Sequence, residues 1–434
     1  MLLLLGILVL ESTLYENQDL MPRSIFHPGT GSLQFRLPEV VITLALIGRL
    51  IARGKPVRIG IPAMLWAAFG MWMTVALLEG VLRHNDITQL QYEGKAIIYV
   101  VGGYALAAGV PVHRYLESGS FVRFMRWSAI PAAVLIVLSN VHASYVVNIP
   151  LLPLPDFGIV GTDTATIYAS IGVLVFLLDL ASGGRNWRSI VFVLPLLACT
   201  VPSGQRAALI DLGVTAAVIL LAVSVSSGRR RFRVTGGNVV CAVLAIVAVV
   251  VLVLVVPAAV SKSPVQVPVV STISHTFNST GKAESAQERV NEWKAAKAII
   301  PQDLLIGHGL GFEYTYYSPA SKQFLRTDIT HNIILDLLMR TGLIGLILFL
   351  SALGVSLYGG VQVWRRHPDR FVAVLALGLV AVILGLVSKG MVESIFEKYR
   401  LASLLGLMLG MLRSAVVSMG RSATPDLVDL EIYE

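Results

Sequence analysis

Few side chains in this sequence stand where they could do chemistry. The stretch "RTDITHNIILDLL" (residues 326–338) sets His331 where a polar segment turns apolar. An imidazole titrates near neutrality and can take a proton from a hydroxyl, so His331 is a candidate general base. The same border equally suits an interfacial side chain or a helix-start contact. Asp328, three residues earlier, is placed to orient the ring. Two arginines offer complementary charge. Arg206 follows "VPSGQ" and opens an apolar run, where a guanidinium can grip phosphate oxygens bidentately or snorkel to the headgroups. Arg289 lies in "ERVNEWKAA", with Trp293 about one helical turn later. A phosphate contact and a solvated helix face shared with Glu288, Glu292, Lys294 and Lys297 both fit that pattern. Asp336 and Arg340, spaced i,i+4, read as an ion pair on one helix face. Lys389 and Glu393, at the ends of two apolar runs, are further pocket candidates.

Other chemistries find little to work with. The eight histidines include no H-x-x-x-H or H-E-x-x-H, and no D-x-D stands where it could hold a divalent ion on a diphosphate. "GHGLG" (residues 307–311) is no nucleotide loop, since no strand precedes it and its spacing is not G-x-G-x-x-G. It reads as a tight turn bringing the backbone close to a neighbour, with His308 expected at the surface.

These residues must be positioned by a membrane protein. The chain has 434 residues, 55% hydrophobic and 14% charged, with mean hydropathy +0.75. Runs such as "VVCAVLAIVAVVVLVLVVPAAV" are long enough to cross a hydrocarbon layer of ~30 Å as helices. The alternating signal of a transmembrane barrel is absent, so an all-α polytopic fold is expected. The net charge of +8 sits mainly between apolar runs, which favours topology and headgroup contacts over nucleic-acid binding. Cys199 and Cys241 fall near opposite membrane faces and are not expected to pair. "MLLLLGILVL" lacks a basic n-region, so no cleavable signal peptide is expected.

Twelve spans are expected, at 1–14, 37–53, 61–79, 95–111, 127–143, 158–180, 188–202, 206–226, 238–260, 342–363, 371–389 and 394–415. Alternate loops such as "GRRRFR" and "WRRHPDR" are basic and are assigned to the cytoplasm, which turns the other loops outward. The chain thus divides into spans 1–9 (residues 1–260), an outward loop (261–341), and spans 10–12 with a tail (342–434). A loop of that length reads as functional. Within it, "ESAQERVNEWKAAKAII" predicts an amphipathic helix ended by Pro301, with Val290, Trp293, Lys297 and Ile300 near one face. A short helix at about 329–340 is expected to precede a break at Thr341-Gly342.

Taken together, these pieces resemble the O-antigen ligase and O-antigen polymerase superfamily of bacterial membrane glycosyltransferases. The resemblance rests on "PSGQRAAL" opening a span, a long late loop, "ERVNEWKAA" followed by proline and "GHGLG", and "HNIILDLLMRTGLIG". It covers about residues 200–350. It implies a GT-C-like enzyme of the inner membrane, with its site facing the periplasm. The donor would be an undecaprenyl-diphosphate-linked glycan, the acceptor a lipid A–core hydroxyl, and neither metal nor cofactor would take part. Arg206, Arg289 and His331 are the matching catalytic positions, with Trp293, Asp328, Asn332, Arg340 and Lys389 expected to join the arginines around the substrate. One large outward loop favours a ligase over a polymerase, while protein-glycosylating relatives share the motifs. A lipid-linked glycan transporter is the main non-enzyme alternative; its signature of matched internal repeats is not evident.

Overall fold

Apolar stretches without water around them must satisfy their own backbone groups, and those described here do so as helices. The computed structural model describes residues 37–51, 60–110, 123, 162–181, 206–226, 280–319, 321–396 and 398–422. In chain order the elements are α1 (Leu37–Ile51), α2 (Ile61–Leu82), α3 (Ile87–Ile97), a π-helical turn (Ile98–Gly102), α4 (Gly103–Ala108), α5 (Thr162–Ala181) and α6 (Arg206–Ser226). Then follow α7 (Thr280–Ile299), a 3-10 turn (Ile300–Asp303), strands β1 (Tyr314–Ser318) and β2 (Gln323–Thr327), α8 (Ile333–Arg366), α9 (Arg370–Gly390) and α10 (Tyr399–Ser422). Among the described residues, α2, α8, α9 and most of α10 are long and apolar enough to cross a membrane. Shorter apolar segments lie in α1, α5 and α6. Eight of the twelve expected spans thus coincide with described helices. The spans at 1–14, 127–143, 188–202 and 238–260, and both cysteines, lie outside the described residues.

Helix starts follow from capping side chains. Asp86 accepts from the Thr88 and Gln89 amides at 2.9 Å each to open α3, and Asp369 accepts from Phe371 N at 2.7 Å to open α9. Packing centres on α9, whose Leu375, Ala376, Leu379, Ala381 and Ile383 are fully buried among α5, α6, α8 and α10. Lipid tails are as apolar as leucine, so helices in a bilayer are held by close fit and by polar contacts rather than by hydrophobic transfer. The α2–α8 crossing shows both. Trp66 stands edge-on to Phe349 at 6.1 Å, and its indole N–H donates to Ser356 Oγ at 3.1 Å.

The expected break before span 10 is present. Gly342 interrupts α8 with φ 65° and ψ −170°, a region open essentially to glycine alone. Backbone groups on both sides of the break find partners close by. The carbonyls of Met339 and Arg340 accept from the amides of His308 and Gly309 at 2.8 and 3.1 Å, and Thr341 O accepts from Trp72 Nε1 at 2.8 Å. Beyond the break, Leu343 N donates to Leu304 O at 2.8 Å. A Cβ on Gly342 would overlap Leu305 O. Gly342→Ala is therefore expected to cost ~1–3 kcal/mol for the backbone alone, read as a lower thermal midpoint in nanodiscs; an unshifted midpoint would rule out the constraint.

One element adds to the all-α expectation. The aromatic stretch after "GHGLG" folds as an antiparallel hairpin, with Tyr314 opposite Thr327 and Ser318 opposite Gln323. Alternating aromatic and β-branched residues suit a pleated surface lying half on a helix.

Candidate active site

His331 sits in the short turn between β2 and α8, and four neighbouring elements hold that turn. From α7, Glu292 clamps the histidine twice. Its Oε1 accepts the His331 backbone N–H at 2.5 Å, and its Oε2 lies 2.9 Å from Nδ1. From β1, the Tyr314 hydroxyl donates to Ile329 O at 3.0 Å and lies 3.2 Å from Thr330 Oγ1. From α8, Arg340 donates to the carbonyl of Asp328. Beyond the C-terminal end of α9, Met391 O accepts from Asn332 Nδ2 at 3.1 Å. Asn332 also caps α8, its Oδ1 accepting from Ile334 N and Leu335 N at 3.0 and 3.1 Å.

The Glu292 carboxylate is only 3% exposed, whereas the His331 side chain is 35% exposed. An ionised carboxylate accepts only, so this contact puts the ring proton on Nδ1 and leaves the Nε2 lone pair for another donor. Among the described residues Nε2 has no partner. Asp328, expected to orient the ring, does not; its carbonyl serves Arg340 instead. Burial, reinforced by the charges of Glu313 and Asp86, pushes the Asp328 carboxyl above the usual range.

Glu292 was placed by pattern on a solvated face, and the structure corrects this. The buried side of α7 runs through Glu292, Ala296 and Ile300, while Val290 and Lys297 are exposed. The helix packs on β1 and on the first turns of α8, and those partners choose the face. Trp293 packs against the small core of Ala296, Ile300, Tyr314, Leu335 and Met339, and its Nε1 is buried with no partner among the described residues. Arg289, half-buried, stands one turn before Glu292 and so on the same side of α7. Tyr316, near Glu288 and Glu292, has its phenol pushed up by burial first and by those two charges second.

Beneath the turn lies a buried ionic group. Arg340 pairs with Asp336 at 2.6 Å and with Glu93 of α3; the pair expected on a helix face is therefore deep, with Arg340 only 3% exposed. Glu93 Oε2 also accepts the Gly311 amide at 2.8 Å. The "GHGLG" turn closes this side as expected. Gly309, at φ +81°, presses so near α2 that a Cβ would overlap Gly80 N. That approach buries His308, contrary to expectation. Its ring stacks on Phe312 at 4.4 Å and its Nδ1 lies 3.3 Å from Asp303. Asp303 is itself held below the usual carboxylate range, chiefly by the hydrogen bond from Arg83.

Arg206 is the first residue of α6. Lower on the same helix, Asp211 lies against Gly385 of α9, and Thr215 donates to Ala381 O at 3.3 Å. At ~1.5 Å per residue Arg206 is ~7.5 Å above Asp211, level with the end of α9 that holds Asn332. Lys389, in that same end, is fully buried, bonded to Thr166 Oγ1 at 2.8 Å and paired with Glu393 at 3.2 Å. It is a packing cation rather than an open pocket residue. The structure thus gathers His331, Asn332, Asp328 and Arg340, brings the Arg289 turn beside them through Glu292, and sets Arg206 at the same end of the bundle. Sequence reading missed Glu292, Glu93 and Tyr314. Among the described residues no group of His, Cys, Asp or Glu is arranged to hold a metal ion.

No curated protein matches the chain significantly. Residues 190–350, which contain Arg206, Arg289, Glu292, His331 and the Gly342 break, match the family model described as O-antigen ligase, in agreement with the resemblance read from the motifs.

Proposed function

We propose that the protein is a glycosyltransferase that moves a glycan from undecaprenyl diphosphate to a hydroxyl of lipid A–core at the periplasmic face of the inner membrane. The observation that carries this reading is the Glu292–His331 pair, a half-exposed imidazole fixed through Nδ1 at 2.9 Å by a buried carboxylate. In the reaction, His331 Nε2 accepts the acceptor hydroxyl proton as that oxygen attacks the anomeric carbon. The bond from that carbon to the diphosphate oxygen breaks, and the electron pair leaves with the diphosphate. Arg206 and Arg289 meet the charge that develops on the leaving group. A single displacement inverts the anomeric centre. Trp293 Nε1, without a described acceptor, is a donor for a substrate oxygen, and Asn332 and Arg340 hold the turn in register.

The test is a transfer assay with purified protein, undecaprenyl-diphosphate glycan and lipid A–core in the presence of excess EDTA. A higher-mass lipid product supports the ligase reading. Carrier-linked glycan of greater length with the acceptor untouched means a polymerase, and no transfer to any lipid or protein acceptor returns the chain to the transporter class. In the same assay Glu292→Gln is expected to lower kcat by ~10–10²-fold with KM little changed, because the ring loses the partner that fixes its tautomer. An equal rise in KM with kcat intact would assign Glu292 to substrate binding instead.

A further inference from the structure

The hairpin has two faces of different character. Tyr314, Tyr316 and Ser318 point toward α7, and Ser318 Oγ donates to Glu288 at 2.5 Å. The other face carries Thr315 opposite Arg326 and Tyr317 opposite Phe324. All four are exposed, Phe324 at 75% and Tyr317 at 43%. The two rings stand 5.5 Å apart at 68°, so one offers its face while the other forms a side wall. Arg326 is paired with Glu313 at the edge of this face.

We propose that this face of the hairpin is a saccharide platform, binding a pyranose-containing stretch of the glycan; the proposal rests on the glycosyltransferase reading above and specifies where its sugar chain lies. The negative face of an aromatic ring attracts the C–H groups on the flat side of a pyranose. The Thr315 hydroxyl, the Arg326 guanidinium and the Glu313 carboxylate supply donors and acceptors for sugar hydroxyls around the ring. A cross-strand aromatic pair also steadies a hairpin, but that role needs contact between the rings and does not require Phe324 to keep three quarters of its surface in the open. A bilayer occupant would need apolar neighbours; Thr315, Ser321, Lys322, Gln323 and Arg326 around the pair are exposed and polar. Position supports a glycan further. Strand β2 runs from Phe324 into the His331 turn, and at ~3.3 Å per residue the Phe324 backbone lies ~10 Å from Thr327, where that turn begins. That distance suits a sugar some units from the reacting end.

The experiment uses the full chain in nanodiscs, a panel of free neutral hexasaccharides followed by saturation-transfer NMR, and transfer kinetics with one-sugar and long-glycan donors. Phe324→Ile keeps the strand propensity and removes the flat ring; Phe324→Trp keeps a ring. Phe324→Ile is expected to weaken binding of the best hexasaccharide by ~10-fold and to abolish the KM advantage of the long-glycan donor, while Phe324→Trp retains both. Absence of hexasaccharide binding in the wild type, or equal binding by Phe324→Ile, overturns the platform. Quenching of the added Phe324→Trp emission by brominated lipids overturns it in favour of a membrane contact. The two readings separate cleanly. Hexasaccharide binding through Phe324 without any transfer removes the transferase and keeps the platform; transfer that needs His331 but ignores Phe324 at every glycan length removes the platform alone.

Discussion

His331→Ala is expected to lower kcat for glycan transfer by ~10³-fold, within the ~10²–10⁴-fold range of a single general base. The expectation follows from the economy of the site. Glu292 fixes Nδ1 at 2.9 Å, Tyr314 and Arg340 hold the preceding backbone, and Nε2 has no partner among the described residues. Removing the ring leaves the arginines and the bound substrates but takes away the proposed acceptor of the hydroxyl proton. The backbone N–H of residue 331 still reaches Glu292 in the variant, and the packing of α7 on α8 does not depend on the ring, so the protein is expected to remain folded. The measurement is kcat with donor and acceptor saturating, paired with a thermal midpoint in nanodiscs. Transfer at near wild-type rate by a folded His331→Ala protein would falsify the proposed chemistry. Donor KM should stay close to wild type, because the diphosphate contacts are assigned to Arg206 and Arg289.

The second large effect concerns stability. Arg340→Met leaves Glu93 and Asp336 buried without the cation between them, and breaking a buried ion group in this way costs ~3–5 kcal/mol. Methionine fills much of the arginine's volume, so the loss reads out charge and hydrogen bonding more than a cavity. It also frees the Asp328 carbonyl, which slackens the His331 turn. Thermal unfolding should show a clear fall in midpoint, accompanied by reduced transfer at temperatures where the variant is folded. Adding Glu93→Gln to Arg340→Met should recover part of the midpoint, since one uncompensated charge is then gone. A double variant no more stable than the single one would show that the carboxylate was never the problem.

The parts of this architecture legible in the sequence were those written within a few residues. Asn332 as a cap, Asp336 with Arg340, and the glycine that breaks α8 all depend on neighbours within one or two turns. The overlap of eight expected spans with described helices follows from the same local signal, length and apolarity. Choices of partner across long separations were not legible. Glu292 meets a residue 39 positions away, and nothing in "ERVNEW" distinguishes it from the charges beside it. Glu93 lies 218 positions from the Gly311 amide that it accepts. His308 looked exposed because glycines flank it, yet those glycines are what let the backbone close on α2 and bury the ring. The hairpin carried a usable signal in "YTYYS" and "QFLRT", short runs of aromatic and β-branched residues around a tight turn. It was overlooked because both runs are shorter than the helices that surround them in sequence.

The contact between Glu93 and Gly311 has a consequence for how the protein is made. Ribosomes add ~5–20 residues per second, so a separation of 218 residues means that the carboxylate leaves the exit tunnel roughly 10–45 s before the amide that receives it. Asp303 and the "GHGLG" turn reach α2 and α3 on the same schedule. The amino-terminal helices are therefore made before the loop residues that pair with their ends. The site closes only when the last third of the chain has been delivered.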